Sequence, residues 1–154
     1  MTRKQSAGLL IYRKYKNFME VLLVHPGGPF WKNKDEGAWS IPKGELNESE
    51  EPLYAAIREF NEETGKTVCG RFMKLKPVVQ KSGKTVFAWA IQKNIDTNNI
   101  VSNEFELEWP PHSGKFQNFP EVDKAGWFLM NDAKKKINAA QVPLLMELEE
   151  KATA

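Results

Sequence analysis

Between Gly44 and Gly65 the chain reads GELNESEEPLYAAIREFNEETG, which sets Glu59, Glu62 and Glu63 at helical spacing between two glycines. At about 100° per residue these carboxylates fall in one sector of a helix, while Leu53, Ala56, Ile57 and Phe60 fill the neighbouring sector. One face packs and the next gathers negative charge. Taken alone, such a face is also what a solvated helix presents, and like charges three or four residues apart repel. Carboxylates clustered without His or Cys suit the oxygen-seeking ions Mg²⁺ or Mn²⁺ and argue against zinc. Arg58 stands one turn before Glu62, so it reads either as a group that orients this carboxylate or as an ordinary surface ion pair.

The wider spacing decides between these readings. Gly44 is followed after five residues by Glu50, after seven more by Arg58-Glu59, then by Phe60, Asn61, Glu62-Glu63, Thr64 and Gly65. This resembles the signature of the Nudix hydrolase family, and all seven fixed residue types of that signature match. Two positions depart from it. Phe60 stands where an aliphatic is usual but still belongs to the apolar sector, and Lys66 replaces an apolar residue just after a glycine expected to close the helix. The signature covers 23 of 154 residues. Beyond it, SAGLLIY, AWSIPKG and EVDKAGWF resemble the first strand, the strand entering the signature and the closing strand of such a domain. HPGGPFW resembles a segment of bacterial family members described only as predicted NTP pyrophosphohydrolases.

The resemblance implies a Nudix-like α/β/α sandwich with a mixed central sheet and the signature helix on one face. It also implies a hydrolase that cleaves a diphosphate linkage by water attack on phosphorus, with Mg²⁺ or Mn²⁺ bound. The substrate class is a nucleoside-diphosphate-type small molecule: an NTP, a dinucleoside polyphosphate or a nucleotide conjugate. Glu59 and Glu62 are then catalytic candidates, with Arg58 positioning them. Glu59, Glu62, Glu63 and the Gly44 carbonyl are candidate metal ligands, and Glu50 supports the loop. Glu121, in FPEVDKAGWF, lies where related proteins often supply one more metal-binding carboxylate from a loop; Asp123 is the weaker candidate nearby. Lys43 reads either as a catalytic cation that reaches a phosphate or as an exposed lysine beside a turn. The other class of reading is a Nudix-fold module that senses a nucleotide without cleaving it. Three intact, mutually repelling glutamates speak against that.

Substrate identity is not legible. Family members that act on ADP-ribose often carry a proline about fifteen residues past the signature glycine, and those that act on dinucleoside polyphosphates a tyrosine slightly further on. Here these places hold Gln80, Lys81, Ser82 and Gly83. The aromatics Phe30, Trp31, Trp109, Phe116 and Phe119 lie in or beside two segments read as long loops, 26–37 and 110–120, where rings pack or stack on a base. Trp31 and Phe116 are the substrate-binding candidates. His25 and His112 stand isolated and receive no chemistry.

The elements that must position these residues follow from periodicity. Residues 7–13 and 19–25 predict a hairpin about the polar turn 14–17, and 38–41 a short strand broken by Pro42. The signature helix is expected to start near Ser49 or Glu50. Strands are expected within 67–80 and 85–93, and a half-buried strand in the alternating run 104–109, its three glutamates facing water. The proline-rich stretch 110–120 reads as loop, 125–130 as a last strand. Asn131 or Asp132 is expected to cap a C-terminal helical stretch with Val142, Leu145, Met146 and Leu148 as its apolar stripe.

A chain of 154 residues suits one domain, 1–154, with a sizeable core. A net charge of +2 from 22 basic and 20 acidic residues leaves no basic stripe, so no long nucleic acid is expected as partner. The one cysteine, Cys69, has no disulfide mate within the chain and reads as core or half-buried. No apolar run approaches ~20 residues, and the first ten residues lack the pattern of a signal peptide, so no membrane is expected and the default compartment is cytoplasmic.

Overall fold

A computed structural model describes residues 4–152. The central strand is β1, Gln5–Lys14, whose run Ala7–Ile11 is buried on both faces and accordingly apolar without alternation. It pairs antiparallel with β2, Met19–Pro26, and parallel with β6, Thr85–Gln92, over eight residue pairs from Gln5↔Thr85 to Tyr12↔Gln92. β2 continues outward to β9, Val122–Leu129. β6 carries two short partners, β4, Met73–Lys74, and β5, Val78–Val79. The sheet is therefore mixed.

One edge of β1 is shared. Tyr12–Lys14 pair with β2, whereas Ser6–Gly8 pair with β3, Lys43–Glu45. β2 pairs with β9 along its length, and the segment before β3 is fastened to it by a bridge between Val24 and Ser40. That divided edge brings Gly44 beneath the helix α1, Pro52–Thr64. Leu9, Ile11, Leu22 and Val24 pack on α1 through Ala55, Ala56 and Phe60. On the other face, Leu10, Val21 and Leu23 pack on α2, Met130–Lys136, and α3, Val142–Ala152, through Ala133, Leu144, Leu145 and Leu148. This is the expected α/β/α layering.

Several boundaries differ from the sequence reading. Residues 38–41 form only isolated bridges at Trp39 and Ser40; the paired strand lies at 43–45, because Pro42 accepts from Leu9 and passes the pairing on to the residues after it. α1 starts at Pro52 with Glu51 as N-cap, later than Ser49 or Glu50, since Pro fits only the first turn. The segment 110–120 is not all loop. Its second half is β8, Phe116–Pro120, paired antiparallel with β7, Glu104–Glu108, in a separate two-stranded ribbon. α2 begins at Met130 with no side-chain cap, and in α3 Met146 is exposed while Leu144 is buried. Cys69 is exposed, not core. Among the described residues no helix is long and apolar enough to cross a membrane.

Candidate active site

The site is built where β3, α1 and the entry to β9 meet. α1 is stopped by Gly65, whose φ of 78° is left-handed and whose N–H donates to the Asn61 carbonyl at 2.7 Å. Its apolar sector fixes its rotation on the sheet, and that rotation turns Glu59 and Glu63 inward. Glu59, Glu63 and Glu121 each offer an oxygen, and these lie within 4.8 Å of one another. Glu121 reaches the group from the junction of β8 and β9, held there because its N–H donates to the Asn103 carbonyl at 2.8 Å and its own carbonyl accepts from Gly27 at 2.9 Å.

Gly44 matters for space. A Cβ built there would collide with the Glu59 carboxyl group, so only glycine lets that carboxylate sit against β3. The backbone N–H of Lys43 donates to Glu63 Oε1 at 3.2 Å. Burial pushes the Glu63 carboxyl up to about 8, helped by the Glu59 charge and opposed by Lys43. Burial likewise raises Glu59, against the Arg58 hydrogen bond, and raises Glu121, where the Glu62 charge adds to it. The Lys43 ammonium is lowered by its own burial and partly restored by Glu63. A trio of half-buried to buried carboxylates that resists ionisation while empty is a donor set that fits a hard divalent cation.

Arg58 orders the approach to this trio. Its Nε and Nη2 clasp both oxygens of Glu50 at 2.8 Å, Nη1 donates to Glu59 at 2.9 Å and to Glu62 at 3.1 Å, and Nη2 also reaches the Glu45 carbonyl at 3.1 Å. The clasp holds the Glu50 carboxyl down at about 2 and raises Arg58. An isolated surface pair would touch one partner; Arg58 touches three carboxylates and a carbonyl. Glu62 is half-exposed and belongs to Arg58 and not to the trio.

Around this centre is a small cleft of about 130 Å³ lined by Pro26, Ser40, Lys43, Glu63, Glu121 and Val122, among others. The segment 26–37 leaves directly from its rim. Phe30 stands edge-on to Trp109 at 5.3 Å, joining this loop to the β7–β8 ribbon, and the ribbon's own Phe105 and Phe119 lie 6.0 Å apart. Trp31 and Phe116 are exposed, at 39% and 62%, so both rings are open to a ligand. Asp123 does not join the carboxylate trio. It bonds instead to His25, a buried ring to which the sequence reading assigned nothing. The only signal for His25 was its place directly before Pro26 and Gly27.

Residues 2–148 match the family model of the NUDIX domain, and the chain belongs to the Nudix family. It is 34% identical over 136 residues to the mRNA-decapping protein g5R of African swine fever virus (isolate Pig/Kenya/KEN-50/1950), covering 77% of this chain and 50% of that protein. It is 32% identical over 97 residues to the 8-oxo-(d)GTP phosphatase of Mycolicibacterium smegmatis, covering 62% of this chain and 24% of that one. The chain thus spans half or less of the length of these curated relatives. Among solved structures, a C. elegans Ap4A hydrolase in a binary complex aligns with a TM-score of 0.67 at 25% identity, over 96% of this chain and 98% of the other. The NUDIX domain of Shewanella oneidensis NrtR, complexed with ADP ribose, shares the fold with a TM-score of 0.65 at 14% identity, over 100% of this chain and 90% of that one.

Proposed function

We propose that this protein is a metal-dependent pyrophosphohydrolase that cleaves a diphosphate linkage in a nucleotide-type small molecule by water attack on phosphorus. The observation that carries the reading is the convergence of Glu59, Glu63 and Glu121 within 4.8 Å, against a glycine that admits no side chain. These three would hold Mg²⁺ or Mn²⁺, with the Gly44 carbonyl as a further candidate ligand. A bound divalent cation supplies neutralisation of phosphate charge and a more acidic water.

The chain's own residues do the rest. Arg58 keeps Glu59 and Glu62 pointed the same way by donating to both through one nitrogen. Glu62, outside the trio and held by Arg58 through Oε2, is the candidate to take a proton from the attacking water, whereas Glu59 belongs to the cluster. Lys43 places an ammonium in the cleft where the transferring phosphate's charge develops. Trp31 and Phe116 offer rings to the base or the leaving moiety.

Relatives named as acting on capped mRNA, 8-oxo-(d)GTP and Ap4A support a nucleotide-linked diphosphate and leave its particular identity open. The test is a panel of nucleoside triphosphates, dinucleoside polyphosphates, nucleotide sugars and ADP-ribose, incubated with and without Mg²⁺ and scored by product identity. Metal-dependent release of two phosphate-bearing products from at least one of them is expected. Binding without turnover across the panel would establish the sensing module instead.

A further inference from the structure

His25, next to last in β2, has its ring 1% exposed, yet it is not an apolar spacer. Nδ1 lies 2.9 Å from Asp123 Oδ1, and Nε2 lies 2.7 Å from the Lys34 carbonyl oxygen. A carbonyl can only accept, so Nε2 meets Lys34 as the donor, while Nδ1 on the opposite side of the ring is bonded to the Asp123 carboxyl group. The Trp39 indole stands against it at 5.2 Å and closes the remaining side. One buried ring therefore ties the far end of the segment 26–37 to the first residues of β9.

The tie reaches the aromatic candidate by a short route. Lys34, whose carbonyl His25 holds, donates its own N–H to the Trp31 carbonyl at 3.0 Å, and its ammonium lies 5.1 Å from the Trp31 ring. Trp31 in turn donates to the Gly28 carbonyl at 3.3 Å. Asp35, the next residue, accepts from Trp39 at 2.8 Å and pairs with Lys136 of α2. Near the other end, Gly27 donates to Glu121. The segment is thus docked at both ends, and the tight turn 28–34 that carries Trp31 lies between them, with Phe30 resting edge-on against Trp109. Of these anchors, only the His25 bond to Lys34 is both fully buried on the donor side and doubly braced.

We infer that His25, braced by Asp123, is a positioning residue for substrate recognition: it fixes the turn 28–34, which leaves the rim of the carboxylate cleft at Pro26 and carries the exposed Trp31, and so sets nucleotide affinity without taking part in the chemistry. The inference rests on the hydrolase reading only for its kinetic arm, because affinity can be measured without turnover. H25Q keeps a polar side chain but cannot span Lys34 and Asp123 in opposed directions as the ring does, and Asp123→Asn removes the carboxylate brace. Asp123 is 35% exposed at its side chain, so its variant serves if H25Q does not fold.

The experiment measures the Kd for α,β-methylene-ATP with Mg²⁺ present, together with KM and kcat for the best panel substrate, in the parent, H25Q, Asp123→Asn, Trp31→Ala and the H25Q/Trp31→Ala double variant. Kd and KM are expected to rise about tenfold in H25Q, the order expected when one stacked ring is misplaced, with kcat within about threefold of the parent. Adding Trp31→Ala to H25Q is expected to bring no further loss, because both act on one contact. Mn²⁺ affinity, followed by electron paramagnetic resonance, is expected to stay at the parental value. Parental Kd in both H25Q and Asp123→Asn, losses that multiply in the double variant, or a fall in kcat at unchanged KM would each overturn the role. A parent that binds the analogue but hydrolyses nothing overturns the hydrolase reading, and Kd still decides the role of His25. A parent that binds no member of the panel overturns both.

Discussion

The signature helix and the segment 26–37 border the same cleft but are held by opposite means. Around α1 the contacts are charged and saturated: Arg58 alone touches Glu45, Glu50, Glu59 and Glu62, and Gly44 leaves no slack under Glu59. Along 26–37 all side chains from Phe30 to Glu36 are exposed, and the backbone is fastened at a few points through His25, Asp35 and Gly27. The difference teaches where each task can reside. Atoms that must meet phosphate have to be held to a fraction of an ångström, which needs a packed helix; groups that meet a variable moiety need access, which a docked loop supplies.

The largest effect expected is on the helix side. Glu59→Gln or Glu62→Gln keeps shape and removes charge, so kcat should fall roughly 10²-fold or more with the melting temperature preserved. Gly44→Ala should do similar damage from the opposite wall by displacing Glu59. Glu106→Gln, exposed on β7, is the control and should change turnover by less than about twofold. Equal losses in Glu106→Gln and Glu62→Gln would place the chemistry elsewhere.

A second expectation concerns pH and the empty trio. Glu63 moves from 4.5 in the unfolded chain up to about 8 in the fold, so between those values the folded state holds the extra proton and stability falls as pH rises. Glu59 and Glu121 are raised as well and act in the same sense. Glu50, held down at about 2, has the opposite sign: its contribution is complete above about 4.5 and is lost only in acid. In chelator the melting temperature should therefore drop from pH 5.5 to 8.5, and millimolar Mg²⁺ should lift it most at the alkaline end. Glu63→Gln should flatten the chelator curve. Parallel curves with and without Mg²⁺ would count against the trio as a cation site.

Smaller changes are expected from the loop side. Trp31→Ala and Phe116→Ala should raise KM several-fold, within the roughly 1–3 kcal/mol of a stacked ring, or reorder the substrate panel while Mg²⁺ dependence persists. Parental KM and ranking in both would make the two rings packing elements and erase the division of labour between the two regions.

The sequence was most legible where a period or a spacing is local. The α1 carboxylates and the β1–β2 hairpin depend on neighbours a few residues apart, and both are where the pattern put them. What it hid depends on partners far along the chain. β8 was concealed because prolines and polar residues mask a strand whose only support is its pairing with β7. β3 was displaced because β1, not the local apolar run 38–41, selects which residues pair. His25 looked idle because Asp123 is 98 residues away. Glu121 was legible only through the family resemblance, since nothing near it in sequence announces two carboxylates from α1.

The divided edge of β1 has a consequence for how such a chain can be altered. The polypeptide leaves β2 at Pro26, which is laddered to β9, and enters β3 at Lys43, which is laddered to β1, with the turn 28–34 lying between these clamps. A span closed in this way can be lengthened or exchanged at little entropic penalty, because closure rises only slowly with length. Grafting a different 28–34 turn between the same two clamps should therefore change what the protein recognises and leave its carboxylate centre in register, which makes this stretch the natural place for a designer to begin.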